Sequence, residues 1–134
     1  MSSEKPVISS PSNYEEHRSK FNYHQVLKHG NRIDISGQGG WDKDLTFTYK
    51  SREEEIEKAF QNVEHVLNSV GSSWKDVYSV TSYHVPLDKD TTALFPKLFK
   101  KYIGDRSPLW TCVGVAQLGE PEMHVEIVVT AYTN

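Results

Sequence analysis

Residues 107–131 read SPLWTCVGVAQLGEPEMHVEIVVTA, and this stretch decides the fold. Residues 110–118 and 123–131 are rich in β-branched side chains and flank the turn-forming residues 119–122, so they predict two strands. Successive side chains point to opposite faces of a strand. One predicted face is an ordinary core face, made of Thr111, Val113, Val115, Val125, Ile127, Val129 and Ala131. The other carries Trp110, Cys112, Gly114, Ala116, His124, Glu126, Val128 and Thr130. Because this second face is mostly small and apolar, we expect both faces to be covered, one of them by another subunit.

Composition limits the classes of protein that the chain can belong to. Its 134 residues suit one domain that buries a core without metal or disulfide bonds. The net charge is −3 and no Lys/Arg-rich block is present, which makes nucleic-acid binding an unlikely function. A single cysteine excludes an intrachain disulfide and suits a reducing compartment. With no apolar stretch of membrane-spanning length and no signal-peptide pattern, we expect a cytoplasmic protein without membrane contact.

The N-terminal segment differs in composition from the rest of the chain. Residues 1–20 are Ser-rich, contain Pro6 and Pro11, and show no periodicity. We expect them to form a partly disordered arm, or one laid over the surface, in which Val7 and Ile8 are a possible short strand. A single domain is expected to occupy residues 21–134.

The remaining elements follow from periodicity and capping signals. Residues 23–36 predict a hairpin, 51–70 a helix with a Ser51/Glu54 capping box, and 77–85 a strand. Residues 91–102 predict a second helix with Asp90 as its N-cap and Pro96 in its first turns. With the two final strands this predicts an α+β fold of order ββαβαββ. Its two helices can cover only one face of the sheet.

Several of these segments carry a family resemblance. The pattern Pro-x-x-Thr-Cys-Val-x-Val-Ala-x-Leu at 108–118, followed by Val-Glu-Ile at 125–127, resembles the C-terminal signature of the YjgF/Rid family. This family comprises reactive-intermediate (enamine/imine) deaminases. Residues 30–38, GNRIDISGQ, and the Asp-Val-x-x-Val-Thr-x-Tyr strand at 76–83 extend the match. The resemblance implies a chorismate-mutase-like fold that assembles as a homotrimer, with a central barrel, helices outside and sites in clefts between subunits.

The resemblance also implies which residues form the site. Glu126 and Cys112 match residues associated with the water that attacks the substrate. Tyr23 matches a residue that lines the site, and the stretch Ser36, Gly37 and Gln38 matches one whose backbone faces the substrate.

The residues themselves support part of this assignment. A lone carboxylate on an apolar face is desolvated, which raises its pKa and suits it to activate water. An alternative is that Glu126 accepts hydrogen bonds from backbone amides at an interface. For Cys112 the alternative is a small buried thiol without a chemical role.

Trp110 is a departure from the family pattern, because it stands where the family has an arginine that binds the substrate carboxylate. An indole has one N–H and no charge, so it cannot replace a bidentate guanidinium. Either the pocket takes a neutral or cationic imine that stacks on Trp110, or the chain keeps a binding cleft without deaminase chemistry. Arg106, four residues away, is a possible replacement for the arginine.

These observations predict a small-molecule hydrolase or deaminase that acts on a reactive imine or enamine in clefts between subunits. A non-catalytic trimer that binds a metabolite or a partner protein is the alternative, and an endoribonuclease is less favoured because the chain is acidic. The six histidines show no metal-ligand spacing, so no metal or other cofactor is expected.

Overall fold

The structure is a computed structural model that describes residues 5–134. Its strands are β1 (Val7–Ser9), β2 (Val26–His29), β3 (Arg32–Ile35), β4 (Val77–His84), β5 (Leu109–Gly114) and β6 (Val125–Tyr132). Its α-helices are α1 (Glu15–Phe21), α2 (Arg52–Asn68), α3 (Lys89–Thr92) and α4 (Leu94–Tyr102). The six strands form one sheet in the order β1-β2-β3-β6-β4-β5. From β2 onwards this confirms the predicted α+β order, and β1 and α1 precede it.

Helix α2 supplies most of the cover on one face of the sheet. The Ser51 hydroxyl accepts a hydrogen bond of 3.1 Å from the Glu54 backbone N–H, which confirms the predicted N-cap. Phe60 and Val63 on its apolar stripe are fully buried against the sheet. Trp74 closes this core from the side: its ring stacks on Phe60 at a centroid distance of 4.6 Å, and its indole N–H donates to the Phe60 carbonyl.

The second predicted helix begins earlier than expected and is interrupted. The N-cap is Asp88 rather than Asp90, since its carboxylate accepts a 2.9 Å hydrogen bond from the Thr91 N–H. The helix divides at Ala93 into α3 and α4. Pro96 lies in the first turn of α4, as predicted, and has no N–H to donate to the Thr92 carbonyl four residues before it. The missing donor accounts for the interruption.

The last two strands do not pair with each other, because β4 lies between them. Strand β5 runs parallel to β4, whereas β6 is antiparallel to both β4 and β3. Ser82 of β4 is the Cα partner of both Cys112 and Ile127, so these three side chains share a face.

The pairing therefore corrects the predicted faces of the sheet. The helix-covered face carries Val80, Ser82, His84, Trp110, Cys112, Val125, Ile127 and Val129. The opposite face, here called the open face, carries Asp34, Thr81, Tyr83, Thr111, Val113, Glu126, Val128 and Thr130. The prediction that Trp110, Cys112 and Gly114 share a face with Glu126 is wrong. Alternation assigns faces within one strand, but only the pairing sets the phase between two strands.

The N-terminal segment is part of the fold from residue 5 onwards. Strand β1 pairs with β2, which confirms the possible strand at Val7 and Ile8. Tyr14 is 1% exposed, donates a 2.6 Å hydrogen bond to Gln38 Oε1 and accepts one of 3.0 Å from Trp41 Nε1. Within the described residues, the segment expected to form the arm is thus laid against the sheet and the 36–41 segment. Residues 1–4 of the predicted arm lie outside the described residues.

Asp34 on the open face is a charged residue in a position expected to be covered. Its carboxylate accepts hydrogen bonds of 2.9 Å from Arg32 Nε and 2.7 Å from Thr130 Oγ1. The Asp34 carboxylate therefore has hydrogen-bond partners within its own chain.

Among the described residues, no helix is both long and apolar enough to cross a bilayer.

We predict that Tyr14→Phe destabilises the protein by about 1–3 kcal/mol, because it leaves the buried Gln38 oxygen and the Trp41 N–H without their partner. Burial raises the pKa of Tyr14 to about 12, so the phenol is the protonated donor at neutral pH. Urea unfolding measures the change. Tyr78→Phe is the matched control, since Tyr78 is 47% exposed. Equal shifts for the two variants would show that the Tyr14 hydroxyl is not structural.

Candidate functional site

Glu126 and Gly37 form the centre of the candidate site. Glu126 projects from β6 on the open face, and Gly37 lies just beyond the end of β3. A Cβ on Gly37 would lie 2.7 Å from Glu126 Cγ, closer than real Cβ contacts. The missing side chain of Gly37 is thus what makes room for the carboxylate. The N–H and C=O of Gly37 make no hydrogen bond within residues 5–134.

The Glu126 carboxylate is partly desolvated and unpaired. Burial raises its pKa above the ordinary value, and no charged group of the described chain contributes to the shift. The expected direction of the shift is therefore confirmed. No hydrogen bond or ion pair within residues 5–134 holds the carboxylate. Its oxygens are available to water, a ligand or another subunit.

Tyr23 and Ser36 lie in the same neighbourhood. Both line a groove of 470 Å³ at the β2–β3 edge of the open face. The Ser36 hydroxyl donates a 2.8 Å hydrogen bond to the His24 carbonyl, and the Tyr23 hydroxyl lies 2.7 Å from His17 Nε2. Burial raises the pKa of Tyr23, a hydrogen bond with Gln25 lowers it, and the charge of Glu126 raises it again. Ser36 precedes Gly37, which lies against the Glu126 side chain, and Tyr23 lines the same groove as Ser36.

Gln38 has a different position from its neighbours. Its side chain is fully buried, and Nε2 donates to Gln25 Oε1 at 2.6 Å. Both its backbone N–H and its C=O form 2.9 Å hydrogen bonds with Ile127 of β6. Its side-chain and backbone groups are thus engaged within residues 5–134, and its expected place in a substrate site remains a prediction. Gln38 holds the 36–38 segment against β6.

Trp110 packs under α4, on the other side of the sheet from Glu126. Its ring stacks on Phe95 with a centroid distance of 5.4 Å and an interplanar angle of 4°. Its indole N–H donates a 3.0 Å hydrogen bond to Ser82 Oγ, which lies 2.8 Å from His84 Nε2. The indole therefore fills space within its own chain.

Cys112 follows on the same face of the same strand. It is half-buried, and β5 is an outer strand of the sheet. Within one chain, neither Cys112 nor Trp110 is brought to Glu126.

Arg106, considered above as a replacement for the family arginine, is engaged within its own chain. Its guanidinium donates to the carbonyls of Lys75 and Val77 at 2.8 and 2.5 Å and lies over the Tyr78 ring at 4.0 Å. These contacts hold it at the start of β4. In the described part of the chain, no three His, Cys, Asp or Glu side chains converge as metal ligands would.

Sequence reasoning missed the contribution of α1. This helix places His17 beside Tyr23 and lines a second groove, of 300 Å³, with Tyr14 and Phe21. A signal was present: Tyr14, His17 and Phe21 have the i, i+3, i+7 spacing of one helix face. The Ser- and Pro-rich composition of the surrounding segment obscured it.

Comparison with known proteins shows the family. Residues 15–133 match the family model described as Endoribonuclease L-PSP. The chain belongs to this family. It is 26% identical over 115 residues to the RutC family protein YjgH of Escherichia coli, which covers 86% of this chain and 84% of that protein. It is also 31% identical over 96 residues to the mitochondrial protein MMF1 of Saccharomyces cerevisiae, covering 72% of this chain and 65% of that protein.

A solved structure of the family supports the same conclusion. The crystal structure of RidA from a Psychrobacter species superposes with a TM-score of 0.74 at 27% identity, covering 83% of this chain and 88% of that one. The resemblance inferred from the sequence motifs is thereby confirmed, and so is the α+β fold. For this L-PSP family member, the match includes both β3 and β6, the two strands that position Gly37 and Glu126.

We predict that Glu126→Gln stabilises the fold at neutral pH. The raised pKa means that the folded state favours the protonated acid, so this stabilisation is present below the ordinary pKa and is lost as pH rises through the raised value. A neutral glutamine removes the cost of the buried charge. Thermal unfolding at several pH values should show a higher Tm for the variant than for the parent at pH 7 and no gain in Tm at pH 4. Exposed Glu53→Gln is the control, and an equal gain there would contradict the assignment.

Proposed function

We propose that this L-PSP family member is a small-molecule hydrolase that deaminates a reactive imine or enamine, with Glu126 positioning and deprotonating the attacking water. The observation that carries the proposal is the state of Glu126: it is desolvated, has no partner in the described chain, and faces the open backbone of Gly37. A carboxylate held in this way has free oxygens for a water molecule. Its raised pKa brings it closer to the working range of a general base at neutral pH.

The proposed reaction begins with a protonated imine, C=N⁺. Water attacks the carbon, Glu126 accepts a proton from that water, and a neutral carbinolamine forms. Proton transfer from Glu126 to the nitrogen makes the amine a leaving group. The C–N bond then breaks as the hydroxyl becomes a carbonyl, whose proton returns to Glu126 or solvent. The products are a carbonyl compound and ammonia or an amine. An enamine enters the same sequence after protonation at its β-carbon.

The charges around Glu126 suggest the substrate class. No arginine or lysine shifts the pKa of Glu126, and Arg106 is engaged elsewhere. A substrate carboxylate would lie beside Glu126 without a counter-charge, at an electrostatic cost. The proposed substrate is therefore a neutral or cationic imine rather than a 2-imino acid. On the family resemblance Trp110 stands at the position of the arginine, but its indole N–H already donates to Ser82 Oγ and its ring stacks on Phe95.

We further propose that the protein works as a homotrimer with its sites between subunits. Within residues 5–134 the open-face side chains of β4, β5 and β6 remain partly or fully exposed, and they include the apolar Val113 and Val128. Leu109 on the outer strand β5 is 74% exposed, and Val7 and Ile8 on the outer strand β1 are each more than half exposed. A second copy would cover these surfaces. Cys112 belongs to the proposed site only if it comes from β5 of a neighbouring subunit, because in its own chain it lies on the other face.

Imine hydrolysis tests the catalytic proposal. An amine oxidase generates an imine without a carboxylate, an amino-acid oxidase generates a 2-imino acid, and trapping measures the decay of each. We predict that the protein accelerates hydrolysis of the imine without a carboxylate more than hydrolysis of the 2-imino acid. Glu126→Gln should lower the rate with the former by about 10²–10⁴-fold. Glu53→Gln should retain the activity. Rapid decay of 2-imino acids that is unaffected by Glu126→Gln would refute both the role and the substrate class.

A binding protein without catalysis is the second candidate, favoured because no cation of residues 5–134 shifts the pKa of Glu126 and because Trp110 is packed within its own chain. It is supported if a carboxylate-free amine raises the Tm while no imine is consumed. An endoribonuclease, as the family name suggests, is disfavoured by the net charge of −3. Cleavage of RNA that is lost in Glu126→Gln would establish it instead.

We predict that Val128→Asp converts the assembly to monomers, because it places a second charge beside Glu126 on the open face. Light scattering after size-exclusion chromatography should give the mass of three chains for the parent protein and the mass of one chain for the variant. Gln117→Asp on an exposed loop is the control and should remain assembled. A parent chain that elutes as a monomer, with Val128→Asp unchanged, would show that the open face is not an interface.

A further inference from the structure

A second groove, distinct from the surroundings of Glu126, lies between α1 and two loops. It has a volume of 300 Å³ and shares no lining residue with the groove of Tyr23 and Ser36. Helix α1 forms one wall, and residues 41–47 and 120–122 contribute to the others. Its volume lies at the lower end of the range for small-molecule sites, which suits a ligand with a single ring. We name it the α1 groove.

Four aromatic rings line the α1 groove: Tyr14, Phe21, Trp41 and Phe47. Trp41 is held in place, since its N–H donates to the Tyr14 hydroxyl and that hydroxyl donates to buried Gln38. The Phe47 ring meets Trp41 edge-on at a centroid distance of 6.3 Å and an angle of 82°. A Cβ on Gly39 would lie 2.8 Å from the Trp41 ring, so the glycine permits this packing. The aromatic surface is therefore formed before any ligand arrives.

The charges of the α1 groove are unbalanced. Glu120 and Glu122 contribute two carboxylates, and no ion pair or side-chain hydrogen bond holds either of them within residues 5–134. Lys20 contributes one ammonium group, which lies 5.2 Å from the centre of the Phe21 ring. Burial lowers the pKa of His17, while Glu120 raises it and Lys20 lowers it, so the imidazole is neutral at pH 7. The groove thus carries a net negative charge.

We propose that the α1 groove binds an organic ammonium ion that carries one aromatic or branched alkyl group. The partly exposed rings of Phe21, Trp41 and Phe47 can attract a cation, and the carboxylates of Glu120 and Glu122 supply the counter-charge. The apolar group of the ligand replaces water against the rings. A carboxylate ligand would meet Glu120 and Glu122 without compensation, and a neutral ligand would gain only the apolar contact. This inference does not depend on catalysis by Glu126.

Titration with three ligands of the same shape tests the proposal. The probes are 2-phenylethylammonium, the neutral 2-phenylethanol and the anionic 3-phenylpropionate, and calorimetry measures their binding at pH 7. Trp41 fluorescence is a second readout, because Trp74 is fully buried and Trp110 lies under α4. We expect the ammonium ion to bind at least tenfold more tightly than the alcohol, and the carboxylate to bind least.

Variants locate the site. The double variant Glu120→Gln/Glu122→Gln should weaken binding of the ammonium ion by more than tenfold and leave binding of the alcohol unchanged. Glu53→Gln/Asp90→Asn removes the same charge from exposed positions outside the groove and should have no effect. Phe47→Ala should weaken the binding of all three ligands.

The outcomes separate this site from the proposed catalytic one. Glu126→Gln should leave binding of the ammonium ion unchanged, whether or not the protein hydrolyses imines. The proposal is overturned if the alcohol binds as tightly as the ammonium ion, if the carboxylate binds best, or if no ammonium binding is measurable at millimolar concentration. Loss of binding in Glu126→Gln with retention in the Glu120/Glu122 variant would assign the ligand to the Glu126 site instead.

Discussion

The buried amide of Gln38 is the interaction on which the rest of the structure depends. Its side chain accepts from the Tyr14 hydroxyl and donates to Gln25, while its backbone pairs in both directions with Ile127. One residue thereby joins the N-terminal segment, the start of β2 and the central strand β6. A buried polar network of this kind is costly unless each member has a partner. In the described residues, no fully buried side-chain nitrogen or oxygen is left without one.

The same network determines the geometry of both grooves. Because the backbone of Gln38 is hydrogen-bonded to β6, the preceding Gly37 is held against Glu126. Gly37 has no side chain, which leaves room for the Glu126 carboxylate. The Tyr14 hydroxyl donates a hydrogen bond to Gln38 and accepts one from the Trp41 N–H, so it also positions Trp41 in the α1 groove. The candidate catalytic group and the aromatic α1 groove are therefore supported by one set of hydrogen bonds.

Much of the fold was predictable because local signals agree with the tertiary structure. The capping residue Ser51, the apolar stripe of α2 and the β-rich runs around residue 112 and residue 127 each predict an element that is present. Glu126 was singled out as a lone carboxylate on a face expected to include Cys112 and Trp110; burial does raise its pKa, but those two residues lie on the other face. The order in the N-terminal segment was not predictable from composition, because it comes from long-range contacts such as the β1–β2 pairing and the hydrogen bonds of Tyr14.

The sequence by itself determined the family and the order of the strands and main helices from β2 onwards. These properties depend on residue types and short-range periodicity, which can be read along the chain. Only the tertiary structure decided which of those residues meet. Insertion of β4 between β5 and β6 sets the phase of the two strands and places Trp110 and Cys112 on the opposite face from Glu126. Strand pairing is a contact between distant segments, and alternation within one strand contains no information about it.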